Sequence, residues 1–518
     1  MAGSLLLAPQ LPALSMAERQ TRAFHLSLSP EVAAHDDELL AMARDAGVRA
    51  VWLVGFCSGY RPFTPDLLRR AVQRVERNGM EAHLLNVPLG HPGDSLGVKA
   101  GESAPTLPTG WKLGQTPEGQ VFAGTSLHPP ATDENSDALR SFRSLGFRRC
   151  FLDDDFRLAR SPGEIGGCFC AEHREQFLEH GGYASAQWTE LLGDVHERRL
   201  TPLLRSWVNW QCDALTASFR AQRHAFQGEL GVMVMYLGAE KAGIRFTDYR
   251  GAPLRVGELM FDDHSFGRVK GKTDELFSAL FHRRFIEPEL AFSETTAYPA
   301  DRLSAANMAA KLVISTLADV RTTMFMSGLT PFPRTHWPVL GPAMRVQAGL
   351  HAQIAGHKPR GPFKHFWGEA SRFVGDDRPF SLWLATGVPF EVVQQPAKEG
   401  WTFVSDFDAR ALAPQVGKLR GKIVCRPAVN LRGPQAEPVG ESLAELFEFK
   451  QLVAGRLQNV PCVMENEPVV CAWYPSAHRV LLWNLSEQTK NLTVSYRGHR
   501  RPLSLAALEA KVLDGFGA

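Results

Sequence analysis

The chain has 518 residues, 44% of them hydrophobic and 22% charged. This is the make-up of a folded globular protein of roughly three domains at about 150 residues each, and it excludes wholesale disorder. Lysine and arginine total 57 against 55 aspartates and glutamates, a net charge of +2, and the longest cationic clusters (Arg69-Arg70 and Arg497 to Arg501) are short and not interleaved with aromatics, so no nucleic-acid partner is expected.

Read from its start, the chain opens with an apolar stretch around Leu5-Leu6-Leu7 that has no Lys or Arg before it and is interrupted by Pro9 and Pro12. That makes a poor secretion signal, and a cytoplasmic protein is expected. No run approaches the roughly 18 to 20 apolar residues of a spanning helix, so no membrane partner is expected either. Eight cysteines (57, 150, 168, 170, 212, 425, 462 and 471) are too sparse for a disulfide scaffold and suit reduced thiols.

Short apolar runs then alternate with longer stretches of helical period, the signature of repeated βα units. Strands are predicted at 24–29, 50–56, 81–87, 149–154, 231–237, 257–261, 290–293 and 321–326. Helices are predicted at 30–46, 64–78, 171–180, 188–226, 273–284 and 304–317. Eight parallel strands with outer helices predict a (β/α)8 TIM barrel over residues 1–345. A doubly wound sheet would carry a Gly-rich phosphate turn after its first strand; here that position reads Pro30-Glu31-Val32.

Beyond residue 345 the texture changes. Apolar runs at 380–384, 391–394, 401–404 and 422–425 predict a small α/β domain over 346–435, and the Pro- and Gly-rich stretch 427–440 reads as a linker. Alternating runs at 468–473, 479–484 and 491–496 predict a C-terminal antiparallel β module, sandwich-like, over 436–518.

A TIM barrel builds its site at the C-terminal ends of its strands. There the fourth predicted strand runs into Asp153-Asp154-Asp155-Phe156-Arg157, the sixth into Asp262-Asp263-His264 and the seventh into Glu294-Thr295-Thr296. The third ends at Asn86, with His91 soon after. Crowded like charges raise at least one carboxyl pKa, which a general acid needs; the plainer alternative is an acidic loop or helix cap. Two carboxylates facing each other across a barrel mouth equip a protein to cleave a glycosidic bond. Asp263 and His264 could line the sugar site or bind a divalent ion, and Trp111, Tyr236, Phe266, Tyr298 and Trp337 are aromatics suited to stacking on a sugar. Cys168, Cys170 and His173 have spacing compatible with a tetrahedral zinc, for which Cys150 is a guess at the fourth ligand.

The segment Asp153 to Arg157, followed by Gly166-Gly167-Cys168-Phe169-Cys170-Ala171-Glu172-His173 and Phe177, resembles the strand 4 region of glycoside hydrolase family 42. The preceding Asn86-Val87-Pro88-Leu89-Gly90-His91-Pro92 is also similar. The resemblance implies a divergent relative of that family: a retaining, exo-acting glycosidase on a small, β-galactoside-like glycoside or oligosaccharide. By resemblance Asp155 falls on the acid/base, Asp154 on a neighbouring sugar-contacting Asn, and Glu294 on the nucleophile. It further implies a structural zinc at Cys168, Cys170 and His173, no cofactor for catalysis, a flavodoxin-like second domain and a homotrimer. Asp in place of Glu shortens the acid's reach by one methylene. Two rival readings are a metal-dependent lyase or aldolase around Asp262, Asp263 and His264, and a carbohydrate-binding protein without catalysis.

Overall fold

A computed structural model describes residues 22–57, 59–89, 108, 110–125, 127–153, 156–161, 163–257 and 259–517. Its first strand, β1 (Ala23–Leu28), shows the period-2 logic of the whole barrel. Phe24 stacks outward on Phe325, whereas His25 reaches the rings of Trp52, His83 and Phe292 on other strands. β2 (Val48–Cys57) and β3 (Glu81–Val87) follow. A separate antiparallel hairpin, β4 (Leu113–Gln115) and β5 (Val121–Thr125), comes next. β6 (Arg149–Leu152), β7 (Glu229–Met235), β8 (Leu254–Gly257), β9 (Ala291–Thr296) and β10 (Thr322–Met326) complete the set. The strands β1, β2, β3, β6, β7, β8, β9 and β10 pair in parallel and close on one another through β10 and β1. The predicted TIM barrel is the observed one.

Helix starts follow a repeated Ser/Thr-Pro signal. Ser29, Thr64 and Thr201 each cap a helix by accepting the backbone N–H three residues on, at 3.2 Å, while the next residue, proline, fills the first helical position where no donor is needed. Local caps of this kind, Asp36 and Thr201, break two expected helices. Asp36 ends the helix Pro30–His35 and caps Asp37–Ala46 through Leu39 N–H. The expected helix at 188–226 is two, Ser185–Glu197 and Pro202–Phe226, separated by Arg198 at φ 52° and the Thr201-Pro202 start.

The sixth barrel strand lies three residues earlier than predicted, at Leu254–Gly257 instead of 257–261. The apolar Leu259, Met260 and Phe261 belong to the following loop.

After the barrel come five short strands: β11 (Phe363–His365), β12 (Phe390–Val392), β13 (Trp401–Phe403), β14 (Lys422–Cys425) and β15 (Ala436–Pro438). They form one parallel sheet in the order β12-β11-β13-β14-β15, the 2-1-3-4-5 arrangement of flavodoxin-like sheets. The run at 380–384 is not a strand; Leu382–Ala385 is a 3-10 turn, since a short apolar run does not declare its period. The stretch 427–440 is not a bare linker, because it supplies β15 as the sheet edge.

The C-terminal part has two three-stranded antiparallel sheets. One is β16 (Cys462–Val463), β19 (Lys490–Tyr496) and β20 (His499–Leu505); the other is β17 (Val469–Tyr474), β18 (Arg479–Asn484) and β21 (Ala510–Asp514). Val463, Cys471, Leu482, Val494 and Leu505 lie in the core between them. This part leans on both others: Arg360 N–H donates to Trp473 O (2.8 Å) and the Tyr474 hydroxyl to Leu317 O (3.3 Å). Among the described residues no helix is long and apolar enough to cross a membrane.

Candidate active site

Side chains pointing into a barrel stack in layers. One layer is aromatic: Trp52 on β2, Phe151 on β6 and Phe292 on β9, with ring centroids 4.8 Å (Trp52–Phe151) and 4.9 Å (Phe151–Phe292) apart, and His83 4.7 Å from Trp52. Two residues further along β6 and β9, toward the C-terminal ends, the same faces present Asp153 and Glu294. Between them stands Arg255 of β8, fully buried, its guanidinium 5.2 Å from the Phe151 ring centroid. Arg255 Nη2 pairs with Asp153 Oδ1, and Nε lies 3.0 Å from Glu294 Oε2. The Thr296 hydroxyl donates to Glu294 Oε1 at 2.8 Å.

Glu294 is only 3% exposed. A carboxylate so buried needs fixed partners, and here one oxygen has a cation and the other a hydroxyl. Burial pulls the Arg255 guanidinium below its ordinary pKa, and the Glu294 charge pulls it back. The result is an oriented carboxylate at the end of the seventh barrel strand, backed by a cation that also grips Asp153 at the end of the fourth.

Of the other predicted site residues, Asp154, Asp155 and His91 lie outside the described residues. Asn86 closes β3 in full burial; its Oδ1 accepts Phe56 N–H (3.1 Å) and its carbonyl accepts Asp153 N–H (2.6 Å). Its side-chain and main-chain oxygens thus tie the ends of β2, β3 and β6 together. Tyr298 follows β9, half-buried, with its N–H on Phe261 O (3.1 Å).

Four expectations need correcting. Tyr236, at φ 47°, has a ring in the main core and a phenol that burial pushes well up, while its carbonyl accepts His282 Nε2–H (2.6 Å) and the Ser278 hydroxyl (2.7 Å). Trp337 packs on Phe332 (5.1 Å) and Phe325 (6.3 Å) outside the barrel wall and is 4% exposed. Phe266 is fully buried under Lys311 and Lys272, and Trp111 is buried with its Nε1–H on Glu134 Oε2 (2.7 Å). Large aromatics carry the most buried area per residue, so core packing claims them first.

Asp263 and His264 start a short helix after β8. Asp263 Oδ1 accepts Ser304 N–H (2.9 Å), Ser304 Oγ–H (2.9 Å) and Asn307 Nδ2–H (2.8 Å), clamping the helix that follows β9. His264 Nε2 is 2.9 Å from Arg268, and Asp262 Oδ1 caps its own turn through Ser265 N–H (2.7 Å). These groups do not converge on one point, which removes the geometric basis for a cation site there.

A different donor set does converge. His128, Cys168, Cys170 and His173 place one donor atom each within 4.8 Å of one another. Cys170 Sγ is 3.4 Å from His128 Nε2 and 3.5 Å from His173 Nδ1, and the edges of a tetrahedral zinc site with sulfur and nitrogen ligands are roughly 3.3–3.8 Å. Burial pulls both imidazoles down, His173 to about 4, so they are neutral and able to ligate at neutral pH. His128 comes from the loop after β5; the guessed Cys150 is instead buried in β6. His128 stands some forty residues before the cysteines in the chain, and no local spacing signals it. Arg255 likewise lies outside the strand expected at 257–261, in a position that carries no local signal of a site.

No family model matches the chain, and no curated protein matches it. Solved structures do. The beta-galactosidase of the psychrophilic Marinomonas ef1 aligns over 95% of this chain and 99% of its own, at TM-score 0.59 and 9% identity. A GH42 beta-galactosidase of G. stearothermophilus aligns over 95% and 98% at the same score and identity. The alpha-L-fucosidase isoenzyme 2 of Paenibacillus thiaminolyticus aligns over 95% and 92%, at TM-score 0.51 and 10% identity. At such identities the likeness is one of fold, and it extends through the barrel into the parts that follow it.

Proposed function

We propose that the chain is a retaining glycoside hydrolase, exo-acting on a small glycoside or oligosaccharide, with Glu294 as nucleophile and Asp155 as acid/base. The observation that carries this reading is the Glu294 carboxylate itself, fixed by Arg255 and Thr296 at the end of the seventh strand of a barrel that is folded like those of GH42 beta-galactosidases. In the reaction, Glu294 attacks the anomeric carbon while Asp155 protonates the departing glycosidic oxygen, leaving the sugar esterified to Glu294. Asp155 then takes a proton from water, whose oxygen attacks the same carbon and releases Glu294. Asp154, His91 and Tyr298 are the proposed sugar contacts; Asn86, expected among them, is fully buried and instead holds the strand ends behind them.

A panel of 4-nitrophenyl glycosides tests the reading. Glu294→Ala should lower turnover by several orders of magnitude, with azide restoring it and yielding a glycosyl azide. Full activity in that variant overturns the assignment, and a sugar bound without turnover by the wild type makes the protein a carbohydrate-binding one. Retention requires the Asp155 and Glu294 carboxyls about 5–5.5 Å apart, against roughly 6.5–9.5 Å for inversion.

The proposal extends to the rest of the chain. Residues 1–345 serve as the catalytic unit, the stretch from 346 through β15 as a small α/β unit, later by three residues than the expected limit at 435 because β15 completes its sheet, and the remainder as a β module, in a cytoplasmic homo-oligomer. The eight cysteines, all free thiols, fit a reducing compartment. Catalysis needs no cofactor, while a structural zinc on His128, Cys168, Cys170 and His173 would pin the loop after β5 to the loop after β6.

A further inference from the structure

We propose that Arg255 is a positioning residue, holding Glu294 and Asp153 in a single geometry. This inference rests on the reading of Glu294 as the nucleophile.

A fully buried arginine inside a barrel is expensive unless its own charge is matched, and Arg255 is held on all sides. Asp153 and Glu294 take its charge, Phe151 lies beneath the guanidinium, and Nη1 is 3.0 Å from Met324 Sδ. The strand that carries it is fitted to the same carboxylate. Gly257, two residues along on the same face, leaves Glu294 room; a Cβ there would lie 3.3 Å from Glu294 Oε2 and 2.2 Å from Met233 Cε.

Asp153 is 2% exposed and its N–H is bonded to Asn86 O, so it belongs to the frame. A planar guanidinium spans two carboxylates where a lysine ammonium is a single point charge. The three groups together carry a net charge of −1 beside the carbon where positive charge develops, which favours an oxocarbenium-like transition state.

The test compares Arg255→Met, Arg255→Lys, Asp153→Asn and the double variant Arg255→Met/Asp153→Asn. Steady-state kinetics are measured on the 4-nitrophenyl glycoside the wild type turns over fastest, and urea unfolding midpoints alongside. Arg255→Met should lower kcat roughly 100-fold with KM held within about threefold, and Arg255→Lys should recover about tenfold of that loss.

The double variant removes an unmatched buried charge, so its midpoint should climb back toward wild type while kcat stays low. Recovery of both, or an unchanged kcat in Arg255→Met, would make Arg255 only a structural counter-charge and overturn the proposal. If the wild type cleaves no glycoside, or Glu294→Ala keeps its turnover, it is the reading of function that fails. The link between Arg255 and Glu294 is then read from unfolding alone: Glu294→Gln should restore part of the midpoint lost in Arg255→Met, and strictly additive losses would refute the link.

Discussion

Three histidines sealed inside the molecule should make its stability fall as the pH drops below about 6.5. His25 accepts the Trp52 Nε1–H on Nδ1 at 3.0 Å, inside the barrel. His282 and His365 each donate from Nε2 to a carbonyl, Tyr236 O at 2.6 Å and Phe277 O at 2.9 Å, and keep a buried Nδ1 with no partner. A second proton on any of these rings would create a charge in an apolar setting. Burial is the main cause that pushes His25 to about 3, His282 to about 4 and His365 to about 3, from an ordinary 6.5; nearby cations (Arg149 and Arg49, Lys241, and Arg284, respectively) add to it. Below pH 6.5 the unfolded chain therefore binds protons that the native state refuses. The contribution of each ring is intact above pH 6.5 and shrinks as the pH falls toward its folded value. At pH 5 the gap is about 1.5 pH units, or about 2 kcal/mol per histidine and about 6 kcal/mol for three, a large part of the ~5–15 kcal/mol that holds a typical protein folded. Buried carboxyls that are pushed up, such as Glu240, Asp274, Asp377 and Asp408, act in the opposite sense, so a difference between variants is the clean measurement. Urea unfolding of the wild type and His365→Gln, whose amide can still donate to Phe277 O, should be compared at pH 7 and pH 5. The variant should lose about 2 kcal/mol less over that interval; equal losses would refute the reasoning.

Metal analysis of protein made in zinc-containing medium should find about one zinc per chain. Cys168→Ser and His128→Ala should each abolish it and lower the unfolding temperature, whereas Asp263→Asn should leave the metal in place. Gly231→Ala places a Cβ 2.5 Å from Phe151 Cε1 and 2.7 Å from Pro253 O. Overpacking there should lower stability by about 1–3 kcal/mol in urea unfolding, and turnover should fall as well because Phe151 underlies Arg255.

Most of the barrel is legible in the sequence because its strands are short β-branched or apolar runs and its helices have their own period. Glu294 stood out for the same reason, as a carboxylate directly after an apolar strand core. Arg255 was hidden, since a single charged residue in Leu254-Arg255-Val256-Gly257 reads as an argument against a strand until the partners across the barrel are known. His128 was hidden because a metal set is assembled by loops that meet only in space. Trp337 and Tyr236 lie in the core although an aromatic's size suits a sugar face and a core equally, and only the surrounding shell decides between them. Local periodicity and capping determine which segments are helix or strand. Which buried charges neutralise one another is settled by closure of the barrel, because a Coulomb pair depends on distance through space and carries no trace of separation along the chain.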